Sequence, residues 1–250
     1  LLRALNQGLL PAHYQTNYPE QVLRAYVTDY LTEEIKAEGL SRNLAAFAKF
    51  LEAASFSHGQ LVQYKNIASD CGVDSKTVKE YFEILRDTYI GSLLPPLHKK
   101  KDRKTIMATP KFYFSDPGIA AFLAKAPLLQ LKGSQAGTGF EGYIHHEINS
   151  YRSYAGKDFP LHYWRTTAGH EVDFVLNEGE IAVETKISDN IKQSDLTGLR
   201  SFMGQTSTKK AFVVCLEKRP RLVTTPEGHK IHISPWRSFL EDLWGGILVT

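Results

Sequence analysis

Sulfur is scarce in this 250-residue chain, which has two cysteines, Cys71 and Cys215, and two methionines. So few thiols exclude a disulfide-dense scaffold and an all-cysteine metal site, and they fit a reduced, cytoplasmic setting. No apolar run approaches the length of a membrane span and no signal-like segment opens the chain, so no membrane partner is expected. Charge of one sign is lacking too. The 30 Lys and Arg against 27 Asp and Glu leave a formal +3, and any nucleic-acid contact must come from a local patch. The G-x-x-x-x-G-K-[ST] loop that cradles nucleotide phosphates is absent. Gly156-Lys157 is the nearest string, without the earlier glycine or the following hydroxyl. ATP hydrolysis by this chain alone is therefore not expected. The opening LLRALNQGLLPAHY has no initiator methionine and reads as a continuing element, so residues 1–18 are expected to be the remnant of a preceding module.

What is present suffices for one large domain or two ordinary ones, at 42% hydrophobic residues. Pro19 opens a helix expected to run to about Glu38, with Val22, Ala25, Tyr26 and Tyr30 at helical spacing and Gly39 as its stop. A second helix is expected from about Ser41 to Ala54. NIASDCGVDSKTVKEYFEIL then has helix-turn-helix spacing: small Ala68, Gly72 for the turn and Val78 to pack the second helix on the first. Asp74 or Ser75 caps that second helix. Val78, Phe82 and Leu85 face inward, and Ser75, Lys76, Thr77, Lys79 and Glu80 face outward. In a DNA reader those outward positions enter the major groove; in a packing module they are a solvated face. Tyr89–Pro95 reads as a strand, followed by HKKKDRKT and a second strand around Ile106. A hairpin there makes a winged helix, with Lys99, Lys100, Lys101, Arg103 and Lys104 at its tip, suited to phosphate or simply a soluble turn. PKFYFSDPGIAAFL is a strand and a helix capped by Asp116. Residues 19–130 are taken as this helical winged helix-turn-helix domain, and the Gly-rich LKGSQAGTG as the connection after it.

Residues 135–250 change to an α/β pattern: a helix from Phe140 to Tyr154, a strand Leu161–Thr166, a hairpin, a helix Gln193–Met203, the apolar strand KKAFVVCLE, and a closing strand and helix. The hairpin is GHEVDFVLNEGEIAVETKIS. Strict alternation places Glu171, Asp173 and Val175 on one face, and Ala182, Glu184 and Lys186 on one face of the second strand. In register, Asp173 lies close to Glu184 and Lys186. Two carboxylates beside an ammonium suit a hard cation such as Mg²⁺, with lysine beside the reacting water. The alternative is an exposed hairpin with cross-strand ion pairs. Glu141 and His145 lie four apart on the preceding helix, which permits a shared metal site, although a hydrogen-bonded histidine is the commoner state.

An acid on one strand followed by Glu184-Thr185-Lys186 on the next resembles the active-site hairpin of the PD-(D/E)XK nuclease superfamily, with Val172 where a proline often stands. The resemblance implies Mg²⁺ or Mn²⁺ held by Asp173, Glu184 and the helix acid Glu141, with Lys186 orienting or deprotonating water. Together, TVKEYFEIL, KFYFSDPGIAAFL, GTGFE, HEVDFVL and ETK resemble the uncharacterised domain that follows the motor in bacterial and archaeal AAA+ ATPases, over about residues 19–216. This implies an α/β chain (α+β overall): a helical winged helix-turn-helix domain, then a nuclease-like mixed sheet flanked by helices. DNA and an ATPase module, missing here or separate, are the implied partners. Two functions are compatible with the resemblance: a metal-dependent DNA phosphodiesterase, or a non-catalytic DNA- or partner-binding regulatory module that retains a nuclease fold.

If the basic run contacts phosphates, replacing Lys99, Lys100, Lys101, Arg103 and Lys104 by Gln weakens duplex binding evenly across sequences. The salt dependence flattens by roughly one unit of slope per lost contact. Fluorescence anisotropy against a salt series reads both effects, and unchanged affinity would leave the run as a solvated turn.

Overall fold

Proline at the first helical turn and glycine where the backbone must turn left-handed punctuate most of the N-terminal half. The computed structural model describes residues 1–30, 43–97 and 109–249, and it divides into two units. The first comprises residues 1–93 and 111–131; the second comprises residues 94–110 and 132–250. The chain is mixed α+β, with a helical N-terminal part and a mixed sheet in the C-terminal part.

The first unit begins with α1 (Leu2–Gln7), α2 (Pro11–Tyr14) and α3 (Pro19–Ala25). The helix expected to continue to about Glu38 is regular only through Ala25; a π-helical turn, Tyr26–Tyr30, follows, and residues 31–42 lie outside the described residues. Next come α4 (Leu44–Ser55), capped by the Asn43 side chain, β1 (Gln60–Leu61), α5 (Tyr64–Cys71) and α6 (Ser75–Asp87). Gly72 takes φ 68° between α5 and α6, and the Asp74 carboxylate accepts from Thr77 N–H at 2.7 Å, so the turn and cap residues act as their chemistry dictates. Val78, Phe82 and Leu85 are buried with Phe47, Phe50, Ile67 and Phe112. The helices are followed by β2 (Gly91–Leu94) and β3 (Lys111–Phe114), in a three-stranded sheet of order β1-β3-β2. The strand expected near Ile106 and the basic tip lie outside the described residues.

Asp116 caps α7 (Pro117–Leu123) and does more besides. Its carboxylate accepts from Gly118 N–H at 2.7 Å, and from Leu9 and Leu10 N–H at 2.9 and 3.1 Å, which ties the chain after α1 to the start of α7. A Cβ on Gly118 would overlap the Gly8 backbone, so this close approach requires glycine.

The second unit runs α8 (Gly133–Tyr154), β4 (Leu161–Arg165), β5 (Glu171–Leu176), β6 (Ile181–Thr185), α9 (Thr197–Met203), β7 (Lys210–Cys215), β8 (Arg221–Thr224), β9 (Lys230–Pro235) and α10 (Trp236–Trp244). The sheet order is β4-β5-β6-β7-β9-β8. The first three strands form an antiparallel meander, β6, β7 and β9 are parallel, and β8 returns antiparallel at the edge. All five residues of β6 are buried, as parallel pairing on one side and helices on the faces require. Asn177, Glu178 and Gly179 all take positive φ and reverse the chain from β5 into β6.

Three features depart from the sequence reading. The glycine-rich stretch expected as a connection forms the first turns of α8, because Ala136 and Phe140 are fully buried and hold it helical. The short exposed strand β8 was not anticipated. The backbone of residues 95–97 seals the β4 edge: Leu97 N–H donates to Tyr163 C=O at 2.7 Å, and Tyr163 N–H to Pro95 C=O at 3.1 Å. The Tyr163 hydroxyl donates to Thr109 C=O, so both flanks of the basic run are fastened to β4. Among the described residues, no helix is long and apolar enough to cross a membrane.

Helix α9 packs on β5 so closely that a Cβ at Gly198 would overlap the Glu171 carbonyl oxygen. Gly198→Ala is therefore expected to cost about 1–3 kcal/mol through forced separation of helix and strand. Gly137→Ala, whose Cβ would meet only Ile187 at 3.9 Å, is expected to be neutral or to stabilise by up to about 1 kcal/mol. Urea denaturation with an unchanged slope reads both, and equal effects would contradict the packing.

Candidate active site

The site is built where β5 and β6 stop pairing. Their ladder runs from Leu176↔Ile181 to Phe174↔Val183, and Asp173 follows beyond it. On the other side of β5, Val175 faces His162 and Val172 faces Trp164, so three steps of β5 match two steps of β4. This is a β-bulge at Asp173-Phe174, and it corrects the strict alternation read from the sequence: Val172 and Val175 pack in one core cluster. Such a bulge re-aims a side chain. Here the Asp173 Oδ2 accepts from both the N–H and the hydroxyl of Thr185, each at 2.8 Å.

Glu184 and Lys186 complete the centre. Lys186 Nζ donates to Glu184 Oε1 at 2.7 Å, while Glu184 Oε2 is buried with no hydrogen-bond partner. Asp173 and Glu184 are each 7% exposed. Burial, together with the neighbouring Asp173 charge, raises the Glu184 carboxyl well above the usual carboxylate range, against the opposing pull of Lys186; Glu141 adds to the rise. For Lys186, burial alone would lower the ammonium, but Glu184 and Asp173 outweigh it and hold the group above its ordinary value. One ammonium is thus shared by two carboxylates. The neighbouring carboxylates favour the charged form of Lys186.

Glu141 is half-buried on α8 and couples electrostatically to Glu184. His145, one turn on, is buried with its ring 5.9 Å from Phe174 and its Nε2 2.9 Å from the Asn149 amide. His146 lies near Ser150 Oγ. Among the described residues, no group of three or more His, Cys, Asp or Glu side chains is placed to hold a metal ion. Two carboxylates with one unpartnered buried oxygen nevertheless fit a Mg²⁺-sized cation, which commonly takes one or two carboxylates and completes its shell with water. Thr185 escaped the sequence reading, since nothing in Glu-Thr-Lys spacing signals that the middle hydroxyl turns back to Asp173.

The residues singled out for DNA contact fall into two groups. Lys76 and Lys79 are exposed on α6, with Lys76 3.9 Å from Glu80 and Lys79 over the Tyr64 ring at 5.4 Å, and Thr77 is half-buried at the cap. Lys99, Lys100, Lys101, Arg103 and Lys104 lie outside the described residues.

Because folding raises the Glu184 carboxyl above its unfolded value near 4.5, the folded state binds that proton more tightly than the unfolded chain. The stability this contributes is present below about pH 4.5 and is lost as pH rises through the folded value. Glu184→Gln stays neutral and escapes that loss. In metal-free buffer at pH 7.5 it is expected to raise Tm by about 2–4 °C, the effect of roughly 1 kcal/mol in a chain of this size. The gain is expected to vanish near pH 4.5, and a gain that is independent of pH would contradict the charge argument.

Residues 136–237 match the family model of DUF4143, a domain of unknown function found at the C-terminus of AAA-type ATPases. No curated protein matches the chain, and no solved structure does. Residues 1–130, more than half of the sequence, match the family model of a second domain of unknown function, and on that match the chain belongs to the DUF8612 family.

Proposed function

We propose that this chain is the DNA-engaging C-terminal part of an AAA-type ATPase system and that its Asp173–Glu184–Lys186 centre is a Mg²⁺- or Mn²⁺-dependent phosphodiesterase. The observation that carries the reading is the unpartnered, buried Glu184 Oε2 beside a second buried carboxylate and a charged lysine. Ion pairing alone gives no reason to leave that oxygen without a partner. A divalent cation bound there would supply Lewis acidity and an activated water. Asp173 and Glu184 would hold it, and Glu141 would complete the polar shell from α8. Lys186, kept charged, would orient the water and offset charge developing on the phosphate. The burial of Asp173 and Glu184 would strengthen each of these interactions. The helix pair α5–α6 and the basic run of residues 99–104 would hold the duplex.

A non-catalytic regulatory module is the second reading. One observation favours it: the 2.7 Å Lys186–Glu184 pair already neutralises one carboxylate without any added ion.

Mg²⁺ or Mn²⁺ at a hundredfold above its dissociation constant is expected to stabilise the protein by about 2.7 kcal/mol. The same ions should support cleavage of single- or double-stranded DNA. Asp173→Asn and Glu184→Gln are expected to abolish both effects. Lys186→Ala should retain metal-linked stabilisation while cleavage falls by about 10²-fold or more. Wild-type protein that shows neither metal-linked stabilisation nor cleavage would assign the chain to the regulatory reading.

A further inference from the structure

Pairing between β5 and β6 ends at Phe174↔Val183, one residue short of Asp173. A residue of β6 reaches its carboxylate across that gap. Thr185 gives two hydrogen bonds to the same oxygen, Oδ2, one from its N–H and one from its Oγ1, both at 2.8 Å. Thr185 is 8% exposed and Asp173 7%, so solvent competes little for either group. The backbone bond survives most substitutions at this position. The hydroxyl bond depends on a β-branched side chain with few χ1 choices, which suits a fixed direction. Two donors on Oδ2 stop the carboxylate from rotating and hold Oδ1 in one orientation.

We infer that Thr185 is the positioning residue for Asp173 and that, by holding this carboxylate in one orientation, it makes the centre select Mg²⁺ over Ca²⁺. The inference rests on reading the centre as a cation site. Its chemical basis is the difference between the two ions: Mg²⁺ demands near-octahedral geometry and short bonds, whereas Ca²⁺ accepts irregular shells and longer ones. A carboxylate held in one orientation helps the first ion much more than the second. A carboxylate free to rotate serves both about equally.

The test uses the full chain with the metals alone, titrated calorimetrically and by thermal shift. Thr185→Val removes the hydroxyl at similar volume, and Thr185→Ala removes it in a smaller side chain should the valine variant not fold. Each is expected to weaken Mg²⁺ binding by about tenfold, in the range typical of partners that orient a metal ligand. Ca²⁺ binding should change by less than about threefold, so the Mg²⁺/Ca²⁺ preference narrows. Thr185→Ser restores the hydroxyl and is expected to return Mg²⁺ affinity to within about threefold of wild type. A purely structural role would lower Tm without changing the ion preference. Undiminished Mg²⁺ affinity in the hydroxyl-free variants, or equal losses for both ions, would overturn the inference while leaving the cation centre standing. Wild-type protein that binds neither ion would overturn the centre and the inference together.

Discussion

Two buried carboxylates and one half-buried ammonium, where two strands stop pairing, set the central constraint of the second unit. Taking either acid out of water is unfavourable unless a partner compensates, and here a single lysine serves two acids. The surroundings are arranged around that imbalance. Asp173 accepts two hydrogen bonds from Thr185 on one oxygen. Glu184 shares Lys186 through one oxygen and leaves the other without a partner. Beneath them Val172, Val175 and Ala182 form part of a dry apolar cluster, which makes every charge in the centre count for more. A packing scaffold would be more stable with apolar residues in these places. Holding an unfavourable charge set on rigid strands is what a site for a developing or added charge needs.

Much of this was legible in the residues. Alternation in EVDFVL and IAVETKI, a turn between them and Lys186 two places after Glu184 already put the acids on neighbouring strands. Gly72, Asp74 and Asp116 took the turn and cap roles that their chemistry allows. What stayed hidden depends on partners distant in sequence. The bulge at Asp173 exists because β4 pairs with β5 two steps against three, and no local pattern in β5 announces it. The glycines of residues 133–139 weaken a helix locally, yet burial of Ala136 and Phe140 against the core overrides that preference. Strand β8 has one half-buried residue among exposed ones, so it lacks the periodic signal that identified the others.

Charges on α6 show how composition and contact can diverge. Counting lysines suggests a basic reading face, but in the structure two cations of this helix, Lys76 and Arg86, have local acidic neighbours. Lys76 approaches Glu80, and Arg86 pairs with both Glu83 and Asp87. Exposed pairs of this kind are weak and are readily exchanged for phosphate, so they neither forbid nor supply strong attraction. The basic run of residues 99–104 lies between two flanks that are anchored to β4.

That anchoring means the two units are interlaced along the chain. Residues 94–110 belong to the second unit although they interrupt the first, and Leu97 sits in the core with Trp164, Val172 and Phe202. Dissection by one cut between residues 131 and 132 would thus yield no intact pair of fragments. The C-terminal piece would lose a core side chain and expose the β4 edge as a template for other strands. Release of either unit in working order requires removal of the whole 94–110 strip from one and its return to the other.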